Sequence, residues 1–291
     1  MKNKHAYLIM AHRNDMCFYT LLQLIDDRRN DIFIHMDAKN RKYDAKEIEK
    51  IICKSKVYHI DRTNVTWGGF SMVNAELLLL KTAVSTNHYQ FYHLLSGQDL
   101  PIKSQEEIHS FFDGQINKNF IRFQDYTFSF QNRVRVWHFF QEFIGRKSIL
   151  LKSINRYIVK FQLLIGVCRN KDVVFQKGTN WFSISDSFAR YVVDHANWIK
   201  KIFTYTFCCD EVFIQTLMLK SQYLDTLYHK EFDNSPEAIM RLIDWNRGKP
   251  YVFRSSDFEE LVNSNMLFAR KFESEIDSEI IDMIKNHILA K

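Results

Sequence analysis

Hydrophobic positions in the first fifth of the chain fall into two alternating patterns. HAYLIMAH (5–12), DIFIHMD (31–37) and KVYHI (56–60) are short apolar runs closed by polar residues, the pattern of buried strands. FYTLLQLIDD (18–27) and AKEIEKIICKS (45–55), which separate them, carry apolar residues at helical spacing. The resulting β-α-β-α-β order predicts an α/β fold with a parallel sheet and right-handed crossovers, an architecture of nucleotide-binding type. Ligands of such sheets sit beyond the carboxyl ends of the strands, where His12, Arg13 and Asp37 fall.

Further on, GGFSMVNAELLLLKTAVST (68–86) predicts a long helix for which Ser71 offers a cap. YQFYHLLSG (89–97) predicts a strand, Pro101 a turn, and the Ser104–Glu107 spacing a capping box that opens a helix. KNFIRFQ (118–124) and KGTNWFSIS (177–185) predict strands, DSFARYVVDHA (186–196) a helix, and Asp210–Glu211 the mouth of another. Residues 242–272 read as a basic loop, a helix capped over Ser256–Glu259, and a basic strand or turn; DSEIIDMIKNHI (277–288) closes with an amphipathic helix.

Between 126 and 171 the character changes. Arg133, Arg135, Arg146, Lys147, Lys152, Arg156, Lys160, Arg169 and Lys171 alternate with large aromatics, and Glu142 is the only acid. Apolar patterning is otherwise continuous, with no linker composition, so residues 1–291 are expected to form one domain carrying 126–171 as a basic aromatic helical insertion.

A hydrophobic share of 46% and a charged share of 25% are those of an ordinary soluble globular protein. A net charge of +6 adds an expectation of an anionic partner: nucleotide phosphates, a membrane surface or nucleic acid. The five cysteines have no zinc spacing and read as reduced thiols of a cytoplasmic protein, and no run is long enough to span a bilayer. A P-loop, a GxGxxG fingerprint and an HExxH pair are all absent.

Two features carry chemistry. Asp210 and Glu211 stand before an apolar helix, where carboxylates cap free amides, or where a tuned glutamate takes a proton from a hydroxyl. Arg247, Lys249, Arg254, Arg270 and Lys271 cluster near the end, Arg270–Lys271 between two phenylalanines; cations in such surroundings need an anion, which a diphosphate would supply. HMD (35–37) differs from the metal-binding Asp-x-Asp of many sugar-nucleotide enzymes by its histidine, so charge neutralisation by Lys and Arg is expected instead of a metal.

IFIHMDAK (32–39), VTWGGFSMVNA (65–75), YHLLSGQDLPIKS (92–104), GTNWFSIS (178–185), CCDEVFIQTL (208–217), LIDWNRGKP (242–250) and LFARKF (267–272) follow one another in the chain. Together they resemble the core-2/I-branching glycosyltransferases, the family of branching N-acetylglucosaminyltransferases and peptide O-xylosyltransferases. The resemblance implies a GT-A-like fold with a mainly parallel central sheet and a helical insertion. It also implies inverting, metal-independent transfer from a UDP-sugar, with no cofactor. Glu211 would be the base and Asp210 its cap and orienter; Met10, Asp37 and Trp67 would hold the uridine. Lys249 or Arg247, with Arg270 and Lys271, would clamp the diphosphate. Asn180 would join the residues binding the UDP-sugar donor, Asp99, Trp181 and Asp210 would line the sugar or acceptor pocket, and Trp245 would stack on a sugar there or serve as a core aromatic.

The donor sugar so implied is N-acetylglucosamine, with xylose as the alternative; Asn180 stands where the xylosyltransferases carry an aspartate. Animal members have a membrane anchor and many disulfides, which this sequence does not show. The expectation is therefore a bacterial, cytoplasmic form acting on a glycan or lipid-linked glycan in surface polysaccharide or glycolipid synthesis. The basic aromatic block would either lie on an anionic membrane or cover the acceptor cleft. A non-catalytic nucleic-acid or membrane module gives no reason for the DE pair or the ARKF stretch, so no nucleic-acid partner is expected. A glycoside hydrolase needs carboxylates on both sides of the sugar, which adjacent residues do not offer.

Overall fold

The strand β1 (His5–Ala11) is the seed of the sheet, followed by β2 (Asn30–Met36), β3 (Lys56–His59), β4 (Phe91–Ser96) and the short β5 (Asp99–Pro101). Then come β6 (Phe120–Phe123), β7 (Gly178–Ser185), β8 (Arg241–Ile243) and β9 (Phe268–Arg270). The helices are α1 (Met16–Leu24), α2 (Ala45–Ile51), α3 (Phe70–Thr86), α4 (Gln105–Asp113), α5 (Asn132–Arg135) and α6 (Gln141–Ile144). They continue as α7 (Ile149–Leu164), α8 (Asp186–Asp194), α9 (Ala196–Phe203), α10 (Phe213–Lys220), α11 (Phe258–Asn263) and α12 (Glu279–Leu289). This is a computed structural model, and it describes residues 4–125, 130–144 and 149–290. Arg146 and Lys147 of the basic block lie outside the described residues.

Six strands form the main sheet in the order β3-β2-β1-β4-β7-β6, parallel from β3 to β4 and antiparallel across β4-β7 and β7-β6. The expected α/β class with a mainly parallel centre is what the chain forms. β1 is paired on both sides and covered on both faces, which is why it reads as an unbroken apolar run. Its side chains still alternate: Ala6 and Leu8 join the core with α3, α8, α9 and α10, and Tyr7 and Ile9 the core with α1, α4 and α12. Parallel register sets Met10 opposite both His35 and Ser96, so the residues after these strands gather at one end of the sheet.

Several local expectations are corrected. Pro101 ends a strand instead of making a turn, and the stretch read as a basic loop starts with β8; β5, β9 and β8 form a second, three-stranded sheet. Pro101 is tolerated because β5 is an edge strand. A helix, α9, follows α8 where none was expected, the break falling at His195. The Ser104–Glu107 capping box is present.

Ser71 does not cap α3, because Gly69 occupies that position. The acid at this helix end comes instead from the insertion. Glu142 accepts from Ser71 N at 2.9 Å and from Ser71 Oγ at 2.7 Å, and its backbone carbonyl accepts from Thr66 Oγ1 at 2.9 Å. A carboxylate at a helix N-terminus is favoured by the free amides and the dipole. A Cβ on Gly69 would stand 2.7 Å from the Glu142 carboxylate oxygens, so glycine is what admits it. Ser256 does not cap α11 either: Asp257 accepts from Arg254 N at 2.8 Å, and Asp277 takes Ser255 N at 2.9 Å.

Three buried histidines meet on one side of the sheet. His5 stacks on His109 with ring centroids 4.0 Å apart, and His93 Nε2 lies 3.1 Å from His5 Nδ1. Burial lowers all three pKa values, His109 to about 4, and for His5 the neighbouring imidazoles add to the effect. A histidine held neutral in the fold takes its proton only after unfolding, so the unfolded chain binds more protons below the usual value of about 6.5. Stability is therefore lost as pH falls from about 6.5 towards 4. Melting temperature should drop between about pH 7 and about pH 5, and His109→Gln should reduce that drop. Scanning calorimetry at the two pH values checks this; an unchanged slope in the variant would remove His109 from the effect.

Candidate active site

Where β6 and β7 part, a cleft of about 770 Å³ opens between them, the turn carrying Glu211 and the loop after β8. Its wall includes Arg122, Arg133, Lys177, Gly178, Thr179, Glu211, Trp245 and Arg247. Gly178 makes this geometry possible, since a Cβ there would fall 1.8 Å from the Arg122 carbonyl oxygen. The β6–β7 register slips between Ile121 and Phe123, and Gln215 spans the slip by donating to Arg122 O at 3.2 Å and Thr179 O at 2.7 Å. Arg122 and Lys177 are thereby brought to the same cleft from two strands.

Glu211 lies in a single 3-10 turn, Cys209–Glu211, before α10. Cys208 adopts a left-handed conformation with φ 47°, and its amide is fixed to Gly68 O at 2.8 Å. Glu211 Oε2 accepts from Arg133 Nη1 at 2.7 Å and lies 3.4 Å from Lys177 Nζ. Oε1 has no hydrogen-bond partner among the described residues, and the side chain is 35% exposed. The Phe130 ring lies against both cations, 4.8 Å from Arg133 and 5.5 Å from Lys177. Arg122 is buried with its Nε unpaired among the described residues, and burial lowers its pKa.

Asp210 is not a cap; Val212 stands at the N-terminus of α10 and Asp210 points inward, its Oδ1 without a hydrogen-bond partner among the described residues. Burial, and then the charge of Glu211, push its pKa up to about 7. Glu76 of α3 faces it from within the core. That carboxyl is fully buried, neither oxygen has a hydrogen-bond partner among the described residues, and burial followed by the Asp210 charge raises its pKa well above the usual range. The Asn180 amide lies beside Glu76 without meeting hydrogen-bond geometry. Asn180 is thus a neighbour of the buried acids.

A second cleft of about 580 Å³ lies beyond the carboxyl ends of β1 and β2, lined by His12, Arg13, Asn14, Asp37 and Lys39 among others. Asp37 accepts from Lys39 N at 2.9 Å, and Lys39 Nζ is 3.3 Å from its other oxygen. Burial, and after it the charges of Arg13 and, more weakly, Lys271, lower the pKa of His12, which places Lys271 near this cleft. Met10 lies at the end of β1, but Trp67 packs edge-on to Phe207, 5.9 Å between centroids, on the Glu211 side. Of the three residues expected at uridine, Asp37 lines this second cleft, and Met10 and Trp67 are on the lining of neither cleft.

Three of the cations expected to need a diphosphate, Arg247, Arg270 and Lys271, already have carboxylates of their own. Arg247 is paired with Asp244, with Asp257 at 2.7 Å and with Glu260 at 2.8 Å, and Lys271 with Glu273. Arg270 meets Asp99 at 2.8 Å and also donates to Ser96 Oγ. Asp99 does not line an open sugar pocket: it is fully buried, with Arg241 3.5 Å away on its other oxygen. Trp181 is sandwiched between Arg241 at 4.8 Å and Arg270 at 4.6 Å. Lys249 is exposed and lines neither cleft. Arg270 and Lys271 do not line the Glu211 cleft; β7 links the two regions, running from Lys177–Thr179 at the cleft to Trp181 against Arg270. Trp245 does line the Glu211 cleft and is half exposed.

Sequence reasoning did not assign Arg122, Arg133, Lys177, Arg241 or Glu76 to a site. Only Glu76 left a signal of its own, as the sole acid in the seventeen residues of α3.

The geometry now meets what is known of other proteins. The chain belongs to the core-2/I-branching enzyme family, whose model, "Core-2/I-Branching enzyme", matches residues 5–265, and with it to the glycosyltransferases. Over 97% of its length it is 25% identical to Xylosyltransferase 2 of Rattus norvegicus and 24% identical to Xylosyltransferase 2 of Homo sapiens. It is also 22% identical to Xylosyltransferase 1 of Rattus norvegicus over the same share. The chain spans about a third of these relatives, 33%, 33% and 35% respectively. Among solved structures it is similar to apo mouse xyloside xylosyltransferase 1, with a TM-score of 0.40 and 9% identity over 92% of this chain and 97% of that one.

The buried acid pair has a measurable consequence. An acid whose folded pKa is raised contributes stability below its unfolded value, and that contribution is lost as pH rises through the folded pKa, about 7 for Asp210. This part of the stability should therefore decline as pH rises from about 4 to about 7. Glu76→Gln removes the ionisable group that faces Asp210 without changing volume. It should melt higher than wild type at about pH 8 and closer to it at about pH 5. Equal differences at both pH values in thermal melts would dissociate Glu76 from Asp210.

Proposed function

We propose that the chain transfers a sugar from a UDP-sugar to a hydroxyl of a glycan acceptor, with inversion, and that Glu211 is the general base. The observation that carries the reading is the Glu211 carboxylate. One oxygen is held by Arg133 and Lys177, and the other has no partner among the described residues, at the wall of an open cleft. A carboxylate fixed on one side and open on the other is oriented for a hydroxyl that must approach in line. In the step itself the acceptor oxygen bonds to the anomeric carbon, the bond from that carbon to the diphosphate breaks, and the acceptor proton passes to Glu211. Negative charge then builds on the leaving UDP, and fixed cations stabilise it.

In this reading residues 1–291 act as one transferase domain and the nucleotide lies in the second cleft, with Met10 and Asp37 at the uridine. Of the expected clamp, Lys271 is retained: it has one carboxylate partner and lies near His12. Arg270 is a positioning residue, its guanidinium committed to Asp99 and Ser96. Arg247 shapes the acceptor cleft beside Trp245, which offers an open ring to a sugar. Lys249 has no such support. The reading takes no metal and no cofactor, the leaving charge being met by side chains, and a glycan or lipid-linked glycan of a surface polysaccharide or glycolipid as acceptor.

N-acetylglucosamine remains the first donor sugar of the reading. Xylose is the second, favoured by the names of the relatives, all three of them xylosyltransferases. A panel of UDP-sugars read by thermal stabilisation separates them, since a ligand of the folded state raises its melting temperature.

Glu211→Gln should lower transfer by about a hundredfold or more while leaving UDP-induced stabilisation intact. Lys271→Ala should weaken UDP binding by about tenfold, and EDTA should leave the rate unchanged. Single-turnover assays with calorimetry of UDP binding check these; full transfer by Glu211→Gln sinks the assignment of the base.

A further inference from the structure

The helix α7 is packed the wrong way round for a soluble protein. Its inward face carries the polar side chains Asn155 and Gln162, the buried residues of the helix. Gln162 accepts from Trp137 N at 2.8 Å and donates to Trp137 O at 2.9 Å, and Asn155 lies 3.3 Å from His138 Nδ1. Polar contacts therefore fix its orientation, and its apolar residues are turned outward. Leu150, Ile154, Tyr157, Phe161 and Leu164 recur at helical spacing along one stripe, with exposures of 72%, 39%, 70%, 60% and 84%. Lys152, Arg156 and Lys160, four residues apart, form an adjoining stripe beside it. From 143 to 171 the sequence has no acid at all, and Glu142, just before, is turned onto α3.

We propose that the outward face of α7 docks on an anionic lipid bilayer, the apolar stripe entering the interface and the cationic stripe meeting the headgroups. Charge complementarity selects this occupant: an apolar stripe alone fits any greasy partner, whereas a continuous acid-free cationic flank fits a surface of one sign. Contact is peripheral, because no helix among the described residues is long and apolar enough to cross a membrane. The inference does not rest on sugar transfer, and its test needs no enzymatic turnover.

Flotation of the full chain with vesicles decides it. Binding is expected to phosphatidylcholine vesicles containing about one third phosphatidylglycerol, with much weaker binding to phosphatidylcholine alone and loss at high salt. Phe161→Ser with Leu164→Ser should lower binding at least about tenfold with the melting temperature and UDP response unchanged, the changes being on the surface. Arg156→Gln with Lys160→Gln should weaken binding and flatten its salt dependence. Failure of the unaltered chain to float overturns the proposal. So does floating that both pairs of changes leave intact, or a self-association that the Phe161 and Leu164 changes abolish, which would give the face to a second copy of the chain.

Discussion

Asp99 is wholly buried and charged, and a charge removed from water has to be answered inside the protein. Two guanidiniums answer it, Arg270 at 2.8 Å and Arg241 at 3.5 Å. Each is tied in turn to the last strand of the parallel run: Arg241 donates to Leu94 O at 2.8 Å and Arg270 to Ser96 Oγ. The small sheet β5-β9-β8 is thereby fastened to the end of β4, and Trp181 is held between the same two cations. This buried ionic knot joins the small sheet, from which the loop over the Glu211 cleft departs, to the main one. Only loss of both arginines would leave this carboxylate without a counter-charge in the core.

Legibility followed length. The parallel strands and the long helices were readable because four to seventeen residues are enough to display a period. The second sheet was not, because strands of three residues show no alternation, and one of them ends in proline. Caps misled for a related reason. Ser71 and Ser256 stand where a local cap would, but the carboxylates at those helix ends belong to Glu142 and Asp277, which are near only in space.

The candidate site shows the same division. The motif singled out Glu211, which stands at the cleft wall, whereas Trp245 had two readings, stacking platform or core aromatic, until the cleft showed it half exposed. The cations around Glu211 were not, since Arg122, Arg133 and Lys177 arrive from three separate segments. Conversely, the clustered cations near the chain end invited an external anion, whereas Asp99, Asp244, Asp257, Glu260 and Glu273 match Arg247, Arg270 and Lys271 from within. A net charge of +6 says nothing about which cations are matched from within, and at the Glu211 cleft Arg133 and Lys177 meet the one carboxylate of Glu211.

The seat of Glu142 on α3 ties the insertion to that helix. The helix it grips begins at Phe70 and carries Glu76 less than two turns further on, directly behind the turn of Asp210 and Glu211. The insertion, the start of α3 and the turn that forms the cleft wall are thus packed in one unbroken line, so the cleft's back wall and the outer surface of the insertion share a single helix as their support.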